Sequence, residues 1–311
     1  MTKTELKTYY GVLKGLAKTA PLPIWRNVGI KDNRIEATDL DHIFTLCNKI
    51  EGDGVYNPQA LDLNLIDENS SIEAYKEGDW TEDWVEFYEV AHHTVELTPE
   101  VVAKIIYAMN FISKDTMRPA LCRVWIKDGR VEASDGYKLY MSDKILADTF
   151  EANFSAKTLS AFKKVAKHGT WILSVTEHSA SLSNGIITLR NKLVEGFPDL
   201  PSLCSKAATA SVKVELPIKQ ILTLAQKDDI LNVHKDGSLV LAGRPLPLNA
   251  TISAEDKTYG GERKVLMGHV NNDNTVVLFR LAPQQLKSFG ATEMITIRVA
   301  TKEPITWLNV D

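Results

Sequence analysis

IKDNRIEATDLDHIF, residues 30–44, and IKDGRVEASDGYKLY, residues 126–140, are one pattern written twice, 96 positions apart. Ile30 and Ile126, Lys31 and Lys127, Asp32 and Asp128, Arg34 and Arg130, Glu36 and Glu132, Ala37 and Ala133, and Asp39 and Asp135 are identical pairs, and Pro23 and Pro119 fall at the same offset. A fainter third copy reads NVHKDGSLVLAGRPLPL, residues 232–248. In each copy an apolar helix-like stretch is followed by a strand, a Lys-Asp turn and a second strand, which is the signature of an antiparallel hairpin. A repeat of this length describes an array of like modules rather than one enzyme fold with one pocket.

Working outward, the modules start near residues 3, 97 and 214. The first opens with Leu6, Tyr10, Leu13, Leu16 and Ala17 at helical spacing. The second, TPEVVAKIIYAMNFI (98–112), has Thr98 as N-cap, Pro99 at the first helical position and an apolar stripe of Val102, Ile105, Ile106 and Met109. In the third, LPIKQILTLAQKDDI (216–230), Pro217 precedes a stripe of Ile218, Ile221, Leu222 and Ala225. A second half of similar kind comes next: residues 153–185 resemble 278–309, with Phe162 and Phe289 in register and Asn184-Gly185 reading as a type I′ turn. The expected helix there spans 156–168. In the first module the second half is abbreviated. The expectation is three domains, 1–94, 95–208 and 209–311, in an α+β fold with helices on one side and antiparallel sheets on the other.

The chain has 311 residues, 44% hydrophobic and 24% charged, as soluble globular proteins do. It contains no apolar run long enough to span a bilayer and no secretory leader, so no membrane association is expected and the cytoplasm is the expected compartment. Cys47, Cys122 and Cys204 are few, odd in number and without a C-x-x-C, and read as reduced core thiols. The net charge is −4 but unevenly distributed: residues 51–96 carry 13 acidic residues against the single Lys76, so the remainder is basic by 8.

Nucleotide-binding, nucleophile-elbow and zinc-protease motifs are absent, and His92-His93 has no Cys or His at ligand spacing. No catalytic residue, metal or cofactor is expected. Asp39 and Asp135 suggest a nuclease metal site only weakly, since each closes a strand beside a turn, where carboxylates cap backbone amides. The lysines carry more. Lys3, Lys7, Lys14 and Lys18 form one stripe opposite the leucines of the first helix. Lys157, Lys163, Lys164 and Lys167 repeat the arrangement around 156–168, and Lys104, Lys219, Lys227 and Lys287 add single cations to the other modules. Helices sharing one side would merge these into a track for a phosphate backbone, bound without sequence readout.

Thr38-Asp39-Leu40-Asp41, Ser134-Asp135-Gly136-Tyr137-Lys138-Leu139, Leu22-Pro23-Ile24 and above all KLVEGFPDLPSL (192–203) resemble segments of the bacterial DNA polymerase III β sliding clamps. The resemblance covers 1–50 and 95–205, more loosely to 309. It implies a DNA-clamp fold of three like domains, closing head-to-tail as a homodimer ring with helices lining the hole and sheets outside. The implied partners are double-stranded DNA, a replicative polymerase and a clamp loader, and the implied role is processivity. In that family a partner peptide enters a cleft between the second and third domains. The carried-over positions are Ser134, Gly136, Tyr137, Lys138 and Leu139, joined by Pro201 and Leu203, with Trp307 and Leu308 closing the opposite side. The chain departs from the family in its short first domain and in ending at PITWLNVD, about one strand early. These departures favour an alternative, a clamp-like monomeric regulator or decoy that does not encircle DNA.

Overall fold

A computed structural model of the chain describes residues 2–47, 50, 52–62, 72–79, 90–147, 149–268, 277–290, 293–302 and 305–310. Much of the acidic 51–96 segment, including the 63–67 end of the abbreviated second half, lies outside the described residues. The chain forms two compact units: residues 1–106 with 150–194, and residues 107–149 with 195–311. Each unit takes one half of the middle repeat.

In the first unit one antiparallel sheet runs in the order β5 (Lys76–Gly78), β4 (Gly54–Tyr56), β1 (Val28–Lys31), β2 (Arg34–Thr38), β3 (His42–Cys47), β13 (Ile187–Lys192), β12 (Ser179–Ser183), β11 (Trp171–Val175), β6 (His93–Leu97). The join between repeats is the β3–β13 pairing, in register from Leu46 opposite Ile187 to His42 opposite Asn191. The helix Lys3–Lys18 packs on β2 and β3, and the helix Ala156–Val165, entered from β10 (Glu151–Ser155), packs on β13. A capping box starts the first helix: Thr2 Oγ1 accepts from the Glu5 amide at 3.2 Å, and Glu5 Oε2 accepts from the Thr2 amide at 2.6 Å. Its buried stripe is Tyr9, Tyr10, Val12, Leu13, Leu16 and Ala17. Leu6, expected in that stripe, is half-buried.

The second unit repeats the device. Its larger sheet includes, in order, β7 (Arg123–Lys127), β8 (Arg130–Ser134), β9 (Lys138–Met141), β19 (Arg263–Gly268), β22 (Ile305–Val310), β21 (Ile295–Lys302), β14 (Thr209–Leu216) and β18 (Thr251–Thr258). Here β9 pairs with β19, Leu139 opposite Val265. A smaller sheet orders β17 (Arg244–Asn249), β16 (Ser238–Leu241), β15 (Leu231–His234) and β20 (Val277–Leu281). The C-terminal strand β22 is an interior member, paired on both edges.

The repeated hairpins have the turn that their residues dictate. Asp32 and Asn33 (φ 50° and 59°), like Asp128 and Gly129 (φ 50° and 77°), hold positive φ at both central positions, as a type I′ turn requires. Asn33 tolerates this in the first copy. In the second, a Cβ on Gly129 would lie 2.2 Å from the Leu146 carbonyl oxygen, so the site admits only glycine. In the third copy the Lys235-Asp236 turn gains Gly237 (φ 88°), and a two-residue turn with positive φ falls one strand later, at Ala242-Gly243. At Asn184-Gly185 the structure departs from the expected type I′ turn. Only Gly185 has positive φ, because Asn184 Oδ1 itself accepts from the Ile186 and Ile187 amides.

Two helices are shorter than the pattern suggests. The helix expected over 156–168 ends at Val165, ahead of a turn closed by Gly169 (φ 78°), which leaves Lys167 beyond it. The third-module helix is Ile218–Leu224, with Lys227 in the turn beyond it, and the stretch bearing Lys287 is a 3₁₀ helix, Pro283–Phe289. Of the three free cysteines Cys204 is buried, Cys122 half-buried and Cys47 exposed at the end of β3, so the core expectation fits Cys204 alone.

One pair of repeat positions has diverged. Glu36 accepts a hydrogen bond from Thr45 across the β2–β3 ladder at 3.2 Å. Its counterpart Glu132 faces Met141 instead, is 1% exposed, and has no partner for Oε2 among the described residues. Burial pushes this carboxyl up to about 7, with Arg130 and Lys127 only partly opposing. Because the folded value lies above the ordinary 4.5, the folded state loses stability as pH rises from 4.5 to about 7 and is level above that. Glu132→Gln should therefore stabilise the protein by up to about 3 kcal/mol at pH 8 and leave it unchanged at pH 4, measured by denaturant unfolding at the two pH values. An equal effect at both would show that ionisation is not the cause.

Candidate functional site

The two lysine-bearing helices of the first unit, Lys3–Lys18 and Ala156–Val165, contact each other and run antiparallel. At one end Glu5 Oε1 lies 3.1 Å from His168 Nδ1, just past the second helix. At the other, Lys157 Nζ donates to Thr19 Oγ1 at 3.3 Å. Both helices cover neighbouring strands of one sheet, so their polar sides share a surface. Lys7, Lys18, Lys163 and Lys164 are exposed there. Lys3, Lys7 and Lys14 also line a cleft of about 580 Å³ with Tyr10, Leu61 and Asp62. Burial lowers the Lys14 amine, opposed by Asp62.

The other lysines differ in availability. Lys104 is largely covered and lies 3.7 Å from Glu100. Lys219 pairs with Glu293 at 3.0 Å, but both are exposed, and such pairs exchange for a phosphate at little cost. Lys157 is held more firmly: its Nζ lies 2.5 Å from Asp39 Oδ2, a carboxylate whose side chain is only 5% exposed. Removing Lys157 to a ligand would strand a buried charge. Lys167, Lys227 and Lys287 are exposed, the first two on turns.

The repeated Asp turns share one hydrogen-bond scheme. Asp39 Oδ1 accepts from the amides of Asp41 and His42, and Thr38 Oγ1 from that of Leu40. Asp135 Oδ1 accepts from Tyr137 and Lys138, and Ser134 Oγ from Gly136. Both carboxylates cap turns, as their place beside a strand end suggests. The two turns present different side chains. In the first, His42 Nδ1 lies 2.8 Å from Asp39 Oδ1 and Nε2 lies 2.7 Å from Ser155 Oγ. Carboxylate, imidazole and hydroxyl in that order resemble an acyl-transfer relay. The hydroxyl oxygen, however, is the N-cap of Ala156–Val165, accepting from the Thr158 amide at 3.1 Å, and the carboxylate is also bound by Lys157. The group is a tie between the two repeats.

In the second turn Lys138 points inward. Its Nζ donates to the Asn110 carbonyl at 2.5 Å and to Ser288 Oγ, and sits 3.6 Å from Asp135 Oδ2. Burial lowers this amine, with Asp135 opposing. It is a strut, not the exposed cation of a cleft that the sequence suggests. Tyr137 next to it is 52% exposed and lines a pocket of about 340 Å³ with Ile230, Met267, Arg280, Leu281, Ala282 and Gln285.

The remaining expected cleft residues lie elsewhere. Leu139 (4% exposed) and Trp307 (5%) belong to a packed cluster with Leu200, Cys204 and Val265, against which Leu203 and Met267 also pack. Pro201 is exposed on the helix Leu200–Lys206. Leu308 is fully buried and, by strand alternation, on the sheet face opposite Trp307. Only Tyr137 of the expected set lines the open pocket, and Met267 links pocket and cluster. Sequence reasoning missed Ile230, Met267, Arg280, Leu281, Ala282 and Gln285, of which Met267 lies on β19, the strand paired with β9. There the Met267 amide donates to the Tyr137 carbonyl at 2.7 Å.

No protein-family model and no curated relative matches the chain. Solved structures do. The DNA polymerase β subunit of Streptococcus pyogenes superposes with a TM-score of 0.67 at 14% sequence identity, over 100% of this chain and 98% of that one. The DNA polymerase III β subunit of Thermotoga maritima gives 0.63 at 15% identity, over 99% and 97%. The DNA polymerase III subunit β sliding clamp of Bartonella birtlesii, solved bound to griselimycin, gives 0.65 at 12% identity, over 100% and 98%. The fold is that of these β subunits, along nearly the whole of both chains.

The Asp39 tie has a measurable consequence. Burial alone would raise this carboxyl, but hydrogen bonds from His42 and Lys157 outweigh it and bring it down to about 2. A depressed carboxylate stabilises the fold above its ordinary 3.8 and loses that contribution as pH falls through about 2. Asp39→Asn should cost about 2 kcal/mol at pH 7 and progressively less on acidification below 3.8, measured by thermal and denaturant unfolding. A pH-independent cost would assign the loss to the turn amides alone.

Proposed function

We propose that this chain is a divergent member of the DNA polymerase III β sliding-clamp family, a processivity factor that encircles duplex DNA and tethers replication proteins. The observation that carries the reading is the near-full-length match to β subunits on both sides of each comparison. Paired antiparallel helices bearing Lys7, Lys14, Lys18, Lys163 and Lys164 on one surface support it. Lysines on flexible stems attract phosphates as point charges and read no bases, which allows sliding.

The work is mechanical, and the reading requires no catalytic residue, metal or cofactor. Two copies joined head-to-tail would close the ring and cover sheet edges that otherwise pair indiscriminately. The polymerase and loader would dock through a short peptide, for which the Tyr137 pocket has the right chemistry: concave and apolar, with few polar groups.

Light scattering should give twice the 34.6 kDa chain mass, and the protein should stay on closed circular duplex but slip off linear DNA. A monomer that never becomes topologically linked to a circle would replace this reading with that of a monomeric replisome regulator or decoy. Alanine at Lys7, Lys14 and Lys164 should weaken all duplex sequences alike and lower the salt slope by about 1 for each phosphate that is no longer neutralised. Lys157→Ala should in addition destabilise the fold, because Asp39 loses its partner. At the pocket, Tyr137→Ala should weaken polymerase binding by roughly 1–3 kcal/mol with ring and sliding intact. Leu139→Ala, in the packed cluster, should instead cost roughly 2–4 kcal/mol of stability. Wild-type polymerase binding by the Tyr137 variant would place docking elsewhere.

A further inference from the structure

The first two repeats each contain a strand that joins them to the next copy: β3 pairs with β13, and β9 with β19. The counterpart in the third repeat is β17, at one edge of the smaller sheet and paired on its inner side alone among the described residues. Where β3 reads HIFTLC and β9 reads KLYM, β17 reads RPLPLN, with Pro245 and Pro247 both exposed. Their place in the ladder decides what they do. Ala242-Gly243 is a two-residue turn, so the flanking Leu241 and Arg244 form the hydrogen-bonded pair and Arg244 turns its amide toward β16. The next residue turns its polar groups the other way, and Pro245, opposite Val240, therefore stands on the outer side. At the far end the Ala250 amide donates to the Gly237 carbonyl at 2.8 Å. That bond brackets the Ser238–Asn249 pair and leaves the Asn249 backbone amide directed outward. Pro247 lies two residues from each and shares their direction. Of these three outward positions, only Asn249 retains a donor.

We infer that Pro245 and Pro247 bar backbone pairing along the outer side of β17, so that a second copy of this chain meeting that edge is held by side chains alone. The ladders between repeats inside the chain are built of amide-to-carbonyl bonds. With two of three outward donors missing, the same ladder cannot continue from the third repeat into another chain. Free donors on an edge would also recruit any extended segment, and prolines placed there remove that hazard while the inner ladder keeps the Arg244 amide. A second copy is the visitor that fits, because both inner ladders form between copies of this same repeat and β17 is where the next one would fall. The role of the prolines follows from the ladder register and does not need the clamp reading, which adds only that the copies meet head-to-tail.

The test restores the donors. Full-length chains carrying Pro245→Thr with Pro247→Thr, or Pro245→Val with Pro247→Val, are compared with wild type by sedimentation velocity over a concentration series. Both double variants should associate roughly tenfold or more tighter than wild type, or associate where wild type stays monomeric, because each regains the same two N–H groups. The two should agree to within about threefold, since the gain comes from the backbone and not from the new side chains. Amide hydrogen exchange of the threonine variant should be slow at positions 245 and 247 in the associated state and fast on dilution. In the wild-type chain the Asn249 backbone amide should exchange equally fast in dilute and concentrated protein. Thermal melts identify a variant that fails to fold, and the Asn249 measurement needs no variant. Association unchanged or weakened in both variants, tightening with valine alone, unprotected amides at 245 and 247 in an associated variant, or a wild-type Asn249 amide protected on association would each overturn the inference. None of these outcomes touches the topological test on circular DNA, so the two readings fail separately.

Discussion

Two strand pairings organise the molecule, and each joins segments from different copies of the repeat. In the first unit β3 of the first repeat lies against β13 of the second, and in the second unit β9 of the second lies against β19 of the third. Without these ladders every module would end in an unpaired edge with its amides and carbonyls exposed. With them, the middle repeat is divided between two compact units, and residues distant in sequence become neighbours. The helix pair on one side of the first unit and the pocket beside Tyr137 in the second both result from this pairing.

The pairing is reinforced by a turn used twice and then adapted. The Thr/Ser-Asp turn caps its own amides identically at Asp39 and Asp135, so its conformation is local. The side chains beyond the turn diverge. His42 and Lys157 bind Asp39 to the N-cap of Ala156–Val165, which locks strand and helix of different repeats together. Lys138 instead turns beneath its strand toward Asn110 and Ser288, and leaves Tyr137 as the side chain facing outward. Duplicated backbone chemistry thus supports a structural tie in one unit and an open pocket in the other. Leu40 shows the same divergence. It holds φ 79° where the second copy has Gly136 at 91°, a conformation costly for a branched side chain and natural for glycine.

Much of the fold is legible in the residues. The repeat and the Asp-Asn and Asp-Gly hairpins are short-range signals, and the structure bears them out, whereas the helix Pro99–Ala108 buries Val101, Ile105 and Ala108 and leaves the expected Val102, Ile106 and Met109 half-buried. The Thr2-to-Glu5 capping box is an equally local signal that the helical pattern alone does not bring out. Sequence and structure part at ends and turns. The pattern carries lysines near helix C-termini one turn too far, because lysine continues a helix as readily as it ends one. At Asn184 the dipeptide preference points to one turn type, whereas the side chain takes up the amides itself.

The candidate site is legible in its chemistry and not in its geometry. The sequence by itself determined the repeated hairpins, the lysine-rich helix faces and the presence of an aromatic beside the Asp135 turn, because each depends on residues within a few positions of one another. Only the tertiary structure decided that Lys138 and Lys157 are engaged inside the protein, that Trp307 packs with Leu139 and Leu200, and that Arg280 stands in the Tyr137 pocket. Each of those outcomes involves at least one partner more than 100 residues away, brought close by the fold. No local pattern encodes such a pairing.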